Sequence, residues 1–140
     1  MARKNKTLLV PIDGSASALR ALRYACERFR AGGFDAVVAL NVQAPMPSSR
    51  FVSQQMIDEH HERLSDEALA PARRLAAKLD VKLTCAVANA NPAEAIVNFA
   101  RKGDEIVMGT RGLGRVGNML MGSVATRVIH LAEVPVTLIK

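Results

Sequence analysis

Five short apolar segments alternate with amphipathic segments along this chain. The apolar segments are rich in Val, Ile and Leu, and several are apolar at consecutive positions, as is typical of strands buried on both faces. The predicted strands are Thr7–Ile12, Ala36–Val42, Val81–Ala88, Asp104–Gly109 and Val136–Ile139. The segments between them repeat apolar residues at helical spacing. This β-α-β-α-β-α-β-α-β order predicts an α/β fold with an open parallel sheet, right-handed crossovers and helices on both faces.

Local signals bound the predicted helices. Ser15 or Ser17 can cap the first helix, and Gly32–Gly33 can end it. The dipeptide Asn91–Pro92 predicts a helix start, because a capping residue is followed by proline at the first helical position. Pro71 falls inside the second helical segment, where it removes a backbone donor, so we expect a kink or a break just before it.

The length of 140 residues fits one domain, and we expect a single domain over 1–140. One Tyr, four Phe and no Trp predict a core built from aliphatic side chains. No apolar run approaches the roughly 18 residues of a membrane span. The apolar run after the basic segment 1–6 is too short for a secretory signal. We therefore expect a cytoplasmic protein with no membrane partner.

The net charge of +6 is concentrated at both ends of the chain. Residues 1–33 carry seven basic and two acidic groups, residues 34–100 six and eight, and residues 101–140 six and three. Such a bias suits nucleic acid, a membrane surface or a polyphosphate ligand, and it equally suits a solvated surface. No aromatic platform or known nucleic-acid motif accompanies it, so nucleic-acid binding is not the expected function.

The cysteine and histidine residues show no ligand pattern. Cys26 and Cys85 are isolated, and we expect buried free thiols, with a disulfide or a reactive thiol as the alternatives. His60 and His61 adjoin each other and His130 stands alone. None has a second ligand at i+4, so no metal site is expected on the protein.

Two loops carry the chemistry that the sequence suggests. One follows the first strand, Pro11–Ser15, and the other follows the fourth, Gly109–Gly117, and continues to Gly122–Ser123. Open parallel sheets bind ligands at the carboxyl ends of their strands, where the strand order reverses. Glycines let backbone amides approach a ligand, and a helix start presents N–H groups suited to phosphate. Arg111 and Arg115 add positive charge, which favours a phosphate site, although glycines also serve tight turns.

The glycine spacing is more specific than the glycine content. Gly109, two residues, Gly112, nine residues and then Gly122–Ser123 resembles the ATP-binding signature of the universal stress protein family. The segments 10–15, 106–112, 122–125 and 134–136 are also similar to motifs of that family, so the resemblance covers nearly the whole chain. By contrast, there is no GxxxxGK[ST] motif, and the GxGxxG string at 112–117 follows the fourth strand instead of the first.

The resemblance implies a five-stranded sheet of order 3-2-1-4-5 and a homodimer paired through the last strand. It also implies an adenine nucleotide (ATP, ADP or AMP), with Mg²⁺ as an optional companion of the phosphates. Asp13 would meet the ribose or adenine, and Val42 would line the base. The other candidate binding residues are Pro11, Ile12, Met108, Gly109, Arg111, Gly112, Gly114, Gly122, Ser123 and Val124.

These features predict a nucleotide-dependent regulatory module of the stress response more than a dedicated enzyme. Asp13 is the only acid in the two site loops, and orienting a ligand is its simplest role. His130 lies well inside the last predicted helix, and Asp104 and Glu105 lie at the opposite end of the sheet. Slow ATP hydrolysis and association with nucleic acid are the alternatives; steep salt dependence would indicate the latter.

Overall fold

The computed structural model describes residues 5–112 and 121–140. Its strands are β1 (Thr7–Pro11), β2 (Ala36–Gln43), β3 (Leu83–Asn89), β4 (Glu105–Gly109) and β5 (Val136–Ile139). The helices of the described residues are α1 (Ala16–Ala31), α2 (Gln54–Lys78), α3 (Pro92–Phe99) and α4 (Ser123–Leu131). The predicted alternation is confirmed. β3 begins later than predicted because the Val81 amide instead donates to Ala76 O at 2.9 Å, closing the end of α2.

The five strands form one parallel sheet in the order β3-β2-β1-β4-β5, as the resemblance implies. Helices α1 and α2 pack on one face, and α3 and α4 pack on the other. After β1, the chain adds β2 and then β3 on one side of that strand. It then crosses over and adds β4 and β5 on the other side of β1. The carboxyl ends of β1 and β4 therefore flank the point where the strand order reverses.

The core is aliphatic, as predicted. Its largest fully buried side chains include Leu8, Leu9 and Ile12 on or just after β1, Leu22 on α1 and Ile106 on β4. β1 is covered on both faces, which explains why its sequence is apolar at consecutive positions.

Of the kink or break predicted just before Pro71, the break is wrong, because α2 continues through that residue to Lys78, and the kink stays a prediction. Residues on both sides of the proline, including Ala68, Leu69, Ala72 and Ala76, are buried against the core. Such packing stabilises a helix more than local propensity does, and it outweighs the hydrogen bond that proline removes.

The helix caps follow the sequence signals. The Ser15 hydroxyl accepts the Ala18 N–H at 3.1 Å, and Gly32 ends α1 with a φ of +97°. Asn91 caps α3, with Pro92 at its first helical position. Ser15 is thus the cap, which settles the choice left open between Ser15 and Ser17.

Both cysteines are free thiols, so the disulfide alternative is wrong. Cys26 is fully buried and Cys85 is half-buried. Burial raises the pKa of the Cys26 thiol, which makes this residue a poor nucleophile. None of the helices within 5–112 and 121–140 is long and apolar enough to cross a membrane.

Candidate functional site

A cavity of about 320 Å³ opens at the carboxyl ends of β1 and β4. Its walls come from the ends of β1, β2 and β4 and from the first turns of α1, α3 and α4. The volume lies in the range of small-molecule sites. The cavity therefore occupies the place where open parallel sheets bind their ligands.

The candidate residues from the sequence come together here. Eleven of them line the cavity: Pro11, Ile12, Asp13, Val42, Met108, Gly109, Arg111, Gly112, Gly122, Ser123 and Val124. Gly114 lies outside the described residues, as do Arg115 and Gly117.

Seven further lining residues were not among the candidate binding residues: Ser15, Ala18, Leu40, Pro92, Ile96, Thr110 and Ala125. Of these, Ser15 and Thr110 lie in the two loops that the sequence singled out. Two others could have been identified from their spacing in the sequence. Leu40 shares a face of β2 with Val42, because side chains alternate along a strand. Ile96 follows Pro92 by four residues, so both lie on one face of α3.

One wall of the cavity is apolar. Ile12 and Leu40 are each 1% exposed, Ile96 is 2% exposed and Met108 is 5% exposed, and Val42 is half-buried beside them. These side chains are buried within the core clusters, so their positions are set by packing. A rigid apolar wall suits a flat, weakly polar ligand group.

The turn between β1 and α1 presents one carboxylate to the cavity. Asp13 Oδ1 accepts the Ser15 N–H at 2.9 Å, at the start of α1. Gly14 between them has a φ of +90°, which glycine adopts at little cost.

Gly112 brings the second loop against that carboxylate. A Cβ at Gly112 would lie 2.5 Å from Asp13 Oδ2, so a side chain at this position would push the Asp13 carboxylate out of its present position. The two loops that the sequence singled out therefore meet at Asp13.

Gly109 has a different reason to be glycine. A Cβ there would overlap the Ser17 hydroxyl and lie 2.9 Å from the Ser17 carbonyl carbon. The Ser17 hydroxyl is buried and has no hydrogen-bond partner among the described residues. Although Gly109 lines the cavity, its lack of a side chain is required by the packing of α1 against the end of β4.

Gly122 caps α4 without a side chain. Its φ of −75° and ψ of 163° are open to any residue, and its N–H donates to Thr110 O at 2.6 Å. A Cβ at Gly122 would make only ordinary contacts, the nearest at 3.5 Å. The first N–H groups of α4 have no intrahelical acceptor and carry the positive end of the dipole. With Arg111 on the same cavity, this end suits an anionic group.

Acids and histidines elsewhere have structural or surface roles. Among the described lining residues, Asp13 is the only carboxylate. Asp104, at the opposite end of the sheet, accepts the N–H groups of Thr7 and Arg101, each at 2.9 Å. His130 is exposed on α4, and His60 contacts Arg63. Within 5–112 and 121–140, no three His, Cys, Asp or Glu residues group as metal ligands.

A doubly wound α/β sheet with its cavity at the β1/β4 switch point defines this class of protein. Residues 4–140 match the model of the universal stress protein family, and the chain belongs to that family.

Individual relatives agree with this assignment. The universal stress protein MJ0531 of Methanocaldococcus jannaschii is 35% identical, over 96% of this chain and 82% of that protein. A universal stress protein of Thermus aquaticus is also 35% identical, over 96% of this chain and 98% of the relative. The universal stress protein of Archaeoglobus fulgidus solved in complex with dAMP is 27% identical with a TM-score of 0.66, covering 98% of each chain.

Proposed function

We propose that the cavity binds an adenine nucleotide. The supporting observation is that one cavity brings together an apolar wall, the Asp13 carboxylate and the glycine-capped start of α4. These three features match the three parts of a nucleotide: a flat base, a sugar with hydroxyl donors and an anionic phosphate chain. A related protein of known structure, from Archaeoglobus fulgidus, holds dAMP.

The proposed orientation follows from the walls. The base lies against Ile12, Leu40 and Val42, and the sugar hydroxyls donate to Asp13. The phosphates lie at Gly122–Ser123, with Arg111 beside them. The exposed Ser123 hydroxyl is a further donor at the same helix start.

ATP is the proposed nucleotide, on the strength of the glycine spacing, with ADP and AMP as the competing ligands. Mg²⁺ takes oxygen ligands, and Asp13 is the only carboxylate among the described lining residues. Any Mg²⁺ would therefore be held chiefly by the phosphates and water.

The role we propose is a regulatory binding module of the stress response, whose nucleotide is read by another protein. The only carboxylate described at the cavity, Asp13, already accepts a backbone N–H at the start of α1, which suits a ligand-orienting group. Slow hydrolysis of bound ATP is the second candidate activity. The cytoplasmic location expected from the sequence stays a prediction.

The decisive measurement is titration calorimetry of the purified protein with ATP, ADP, AMP and GTP, after mass spectrometry for co-purified ligand. We expect saturable one-to-one binding of the adenine nucleotides and much weaker binding of GTP. A protein that binds none of them would contradict the proposal. Affinity for a DNA duplex that falls steeply with salt would instead support the nucleic-acid alternative.

A homodimer through β5 is part of the proposal. β5 lies at the edge of the sheet, and an uncovered strand edge invites uncontrolled pairing. Antiparallel pairing with the same strand of a second copy would cover it in a closed two-fold assembly. Light scattering should then give twice the 15.1 kDa chain mass. A monomer at micromolar concentration would contradict the dimer.

A further inference from the structure

A buried asparagine lies directly behind the cavity without lining it. Asn41 on β2 is 1% exposed and makes three hydrogen bonds. Its Nδ2 donates to Ile12 O at 2.7 Å, and its Oδ1 accepts the Ser65 hydroxyl at 2.9 Å and the Gln43 amide at 2.8 Å. One side chain thereby joins the end of β1, its own strand and helix α2.

The residue it holds is the last one before Asp13. Regular pairing of β1 with β2 ends at Pro11 and Leu40. Beyond that point, the Ile12 N–H donates to Leu40 O at 2.8 Å, while the Ile12 carbonyl accepts from the Asn41 side chain. Both backbone groups of Ile12 are therefore fixed by β2 where the chain leaves the sheet toward the carboxylate.

A polar side chain at this depth needs a reason. Val37 and Ala39, on the same face of β2, are apolar and fully buried. Burying an amide costs free energy unless its donors and acceptors are paired, and a paired network rigidifies its surroundings. Asn41, by contrast, lies where β1 ends, beside the turn that carries Asp13.

We infer that Asn41 is a positioning residue for nucleotide binding: through the Ile12 carbonyl it fixes Asp13 and the apolar wall, and through Ser65 it ties α2 to them. This inference rests on the proposed function. Because Asn41 acts on the base and sugar side of the cavity, the loss of its hydrogen bonds should weaken the binding of adenosine and of AMP by the same factor.

The test is the double variant Asn41→Leu with Ser65→Ala, which replaces both partners of the Asn41–Ser65 hydrogen bond. Neither of these two positions then keeps an unpaired polar side chain. Losing the tether should weaken adenosine and AMP equally, by about five- to tenfold in calorimetry. The matched control is Val37→Ala, a core truncation on the same face of β2 but at its other end. It should lower the melting temperature without weakening either ligand.

A second readout needs no ligand. In the nucleotide-free protein, hydrogen exchange of the Ser15 amide reports the bond that Asp13 makes to it. We expect faster exchange in the Asn41 variant and wild-type exchange in Val37→Ala. If the double variant does not fold, Asn41→Ala, which leaves space for water at Ser65, is judged by the same two readouts.

Unchanged affinity and unchanged Ser15 exchange in a folded variant would overturn the inference. Equal losses in the Val37→Ala control would overturn it too, because the effect would then be general loosening. Failure of the proposed function looks different: the wild-type protein itself would bind neither adenosine nor AMP, while Ser15 exchange would still test the Asn41 tether.

Discussion

Among the helix starts that line the cavity, those of α1 and α4 are built differently. At α1, side chains occupy the first N–H groups: Asp13 accepts from Ser15, and the Ser15 hydroxyl accepts from Ala18. At α4, the capping residue is Gly122, which has no side chain with which to cap the first turn. The α1 start is therefore capped by side chains of its own turn, whereas the capping residue of α4 offers no side-chain acceptor.

Because of this difference, the two helix starts suit different parts of a ligand. A helix start that is already capped by acidic and hydroxyl groups has little capacity left for an anion, so the α1 side suits the hydroxyl groups of a sugar. A helix start whose capping residue has no side chain keeps its backbone N–H groups available to bind a phosphate. The glycines Gly109 and Gly122 also differ. Gly109 is required by packing against α1, whereas Gly122 leaves space at the proposed ligand site.

The largest effect expected is on stability, from Gly109→Ala. Its Cβ would overlap Ser17, including the backbone carbonyl carbon at 2.9 Å, which cannot move without shifting α1. Overpacking of this kind should lower the free energy of unfolding by about 3 kcal/mol, as measured by urea denaturation. The matched control is Gly122→Ala, where φ is −75° and the nearest atom lies at 3.5 Å. It should change stability by less than about 1 kcal/mol. Equal losses in the two variants would erase the distinction between these glycines.

The next effect is on the sugar side, from Asp13→Asn. The amide oxygen can still accept the Ser15 N–H, but charge-assisted bonds to the ligand are lost, and such bonds contribute about 1.5–3 kcal/mol. ATP binding should weaken roughly ten- to a hundredfold in calorimetry. Asp58→Asn makes the same charge change on the exposed face of α2 and should leave affinity unchanged.

Single-turnover hydrolysis on the same Asp13 variant separates binding from catalysis. If Asp13 orients the ligand, any slow hydrolysis should recover at saturating ATP. A loss of kcat with intact affinity would identify Asp13 as a general base and overturn the binding-module proposal.

The smallest effect is on the phosphate side, from Gly122→Val. The added methyl groups would press on the 110–112 backbone and narrow the space at the α4 start. ATP affinity should fall at least about tenfold, or about 1.4 kcal/mol, while adenosine affinity stays unchanged. Gly122→Ala should bind ATP nearly as the wild type does. A Gly122→Val protein that is folded and binds ATP normally would indicate that the phosphates lie elsewhere.

The sequence was sufficient for the parts of the molecule that local patterns determine. The apolar segments predicted the strands, and Ser15 and Asn91 predicted the helix starts. The loops after β1 and β4 could be assigned to one cavity because parallel strands end at the same edge of the sheet. These features depend on residues close together in the chain.

The errors and omissions concern contacts between distant segments. Pro71 was expected to kink or break α2, and the continuity of the helix depends on its burial on both sides of the proline, against a core that the local sequence does not show. The packing role of Gly109 depends on Ser17, which is far away in sequence. Asn41 is one of two polar residues, with Gln43, at the end of an otherwise apolar strand, and only the position of Ile12 beside it reveals its bond.

The packing of Gly109 against Ser17 has a consequence for how this family can diverge. A lineage that abandons the ligand proposed here would still be selected to keep Gly109, because a side chain there would overlap the backbone of α1, whereas at Gly112 the Asp13 carboxylate could rotate to make room. Gly122 would be free to drift, because its backbone conformation accepts other residues. The last glycine of the spacing, more than the first, should therefore differ between relatives that bind the proposed nucleotide and relatives that do not.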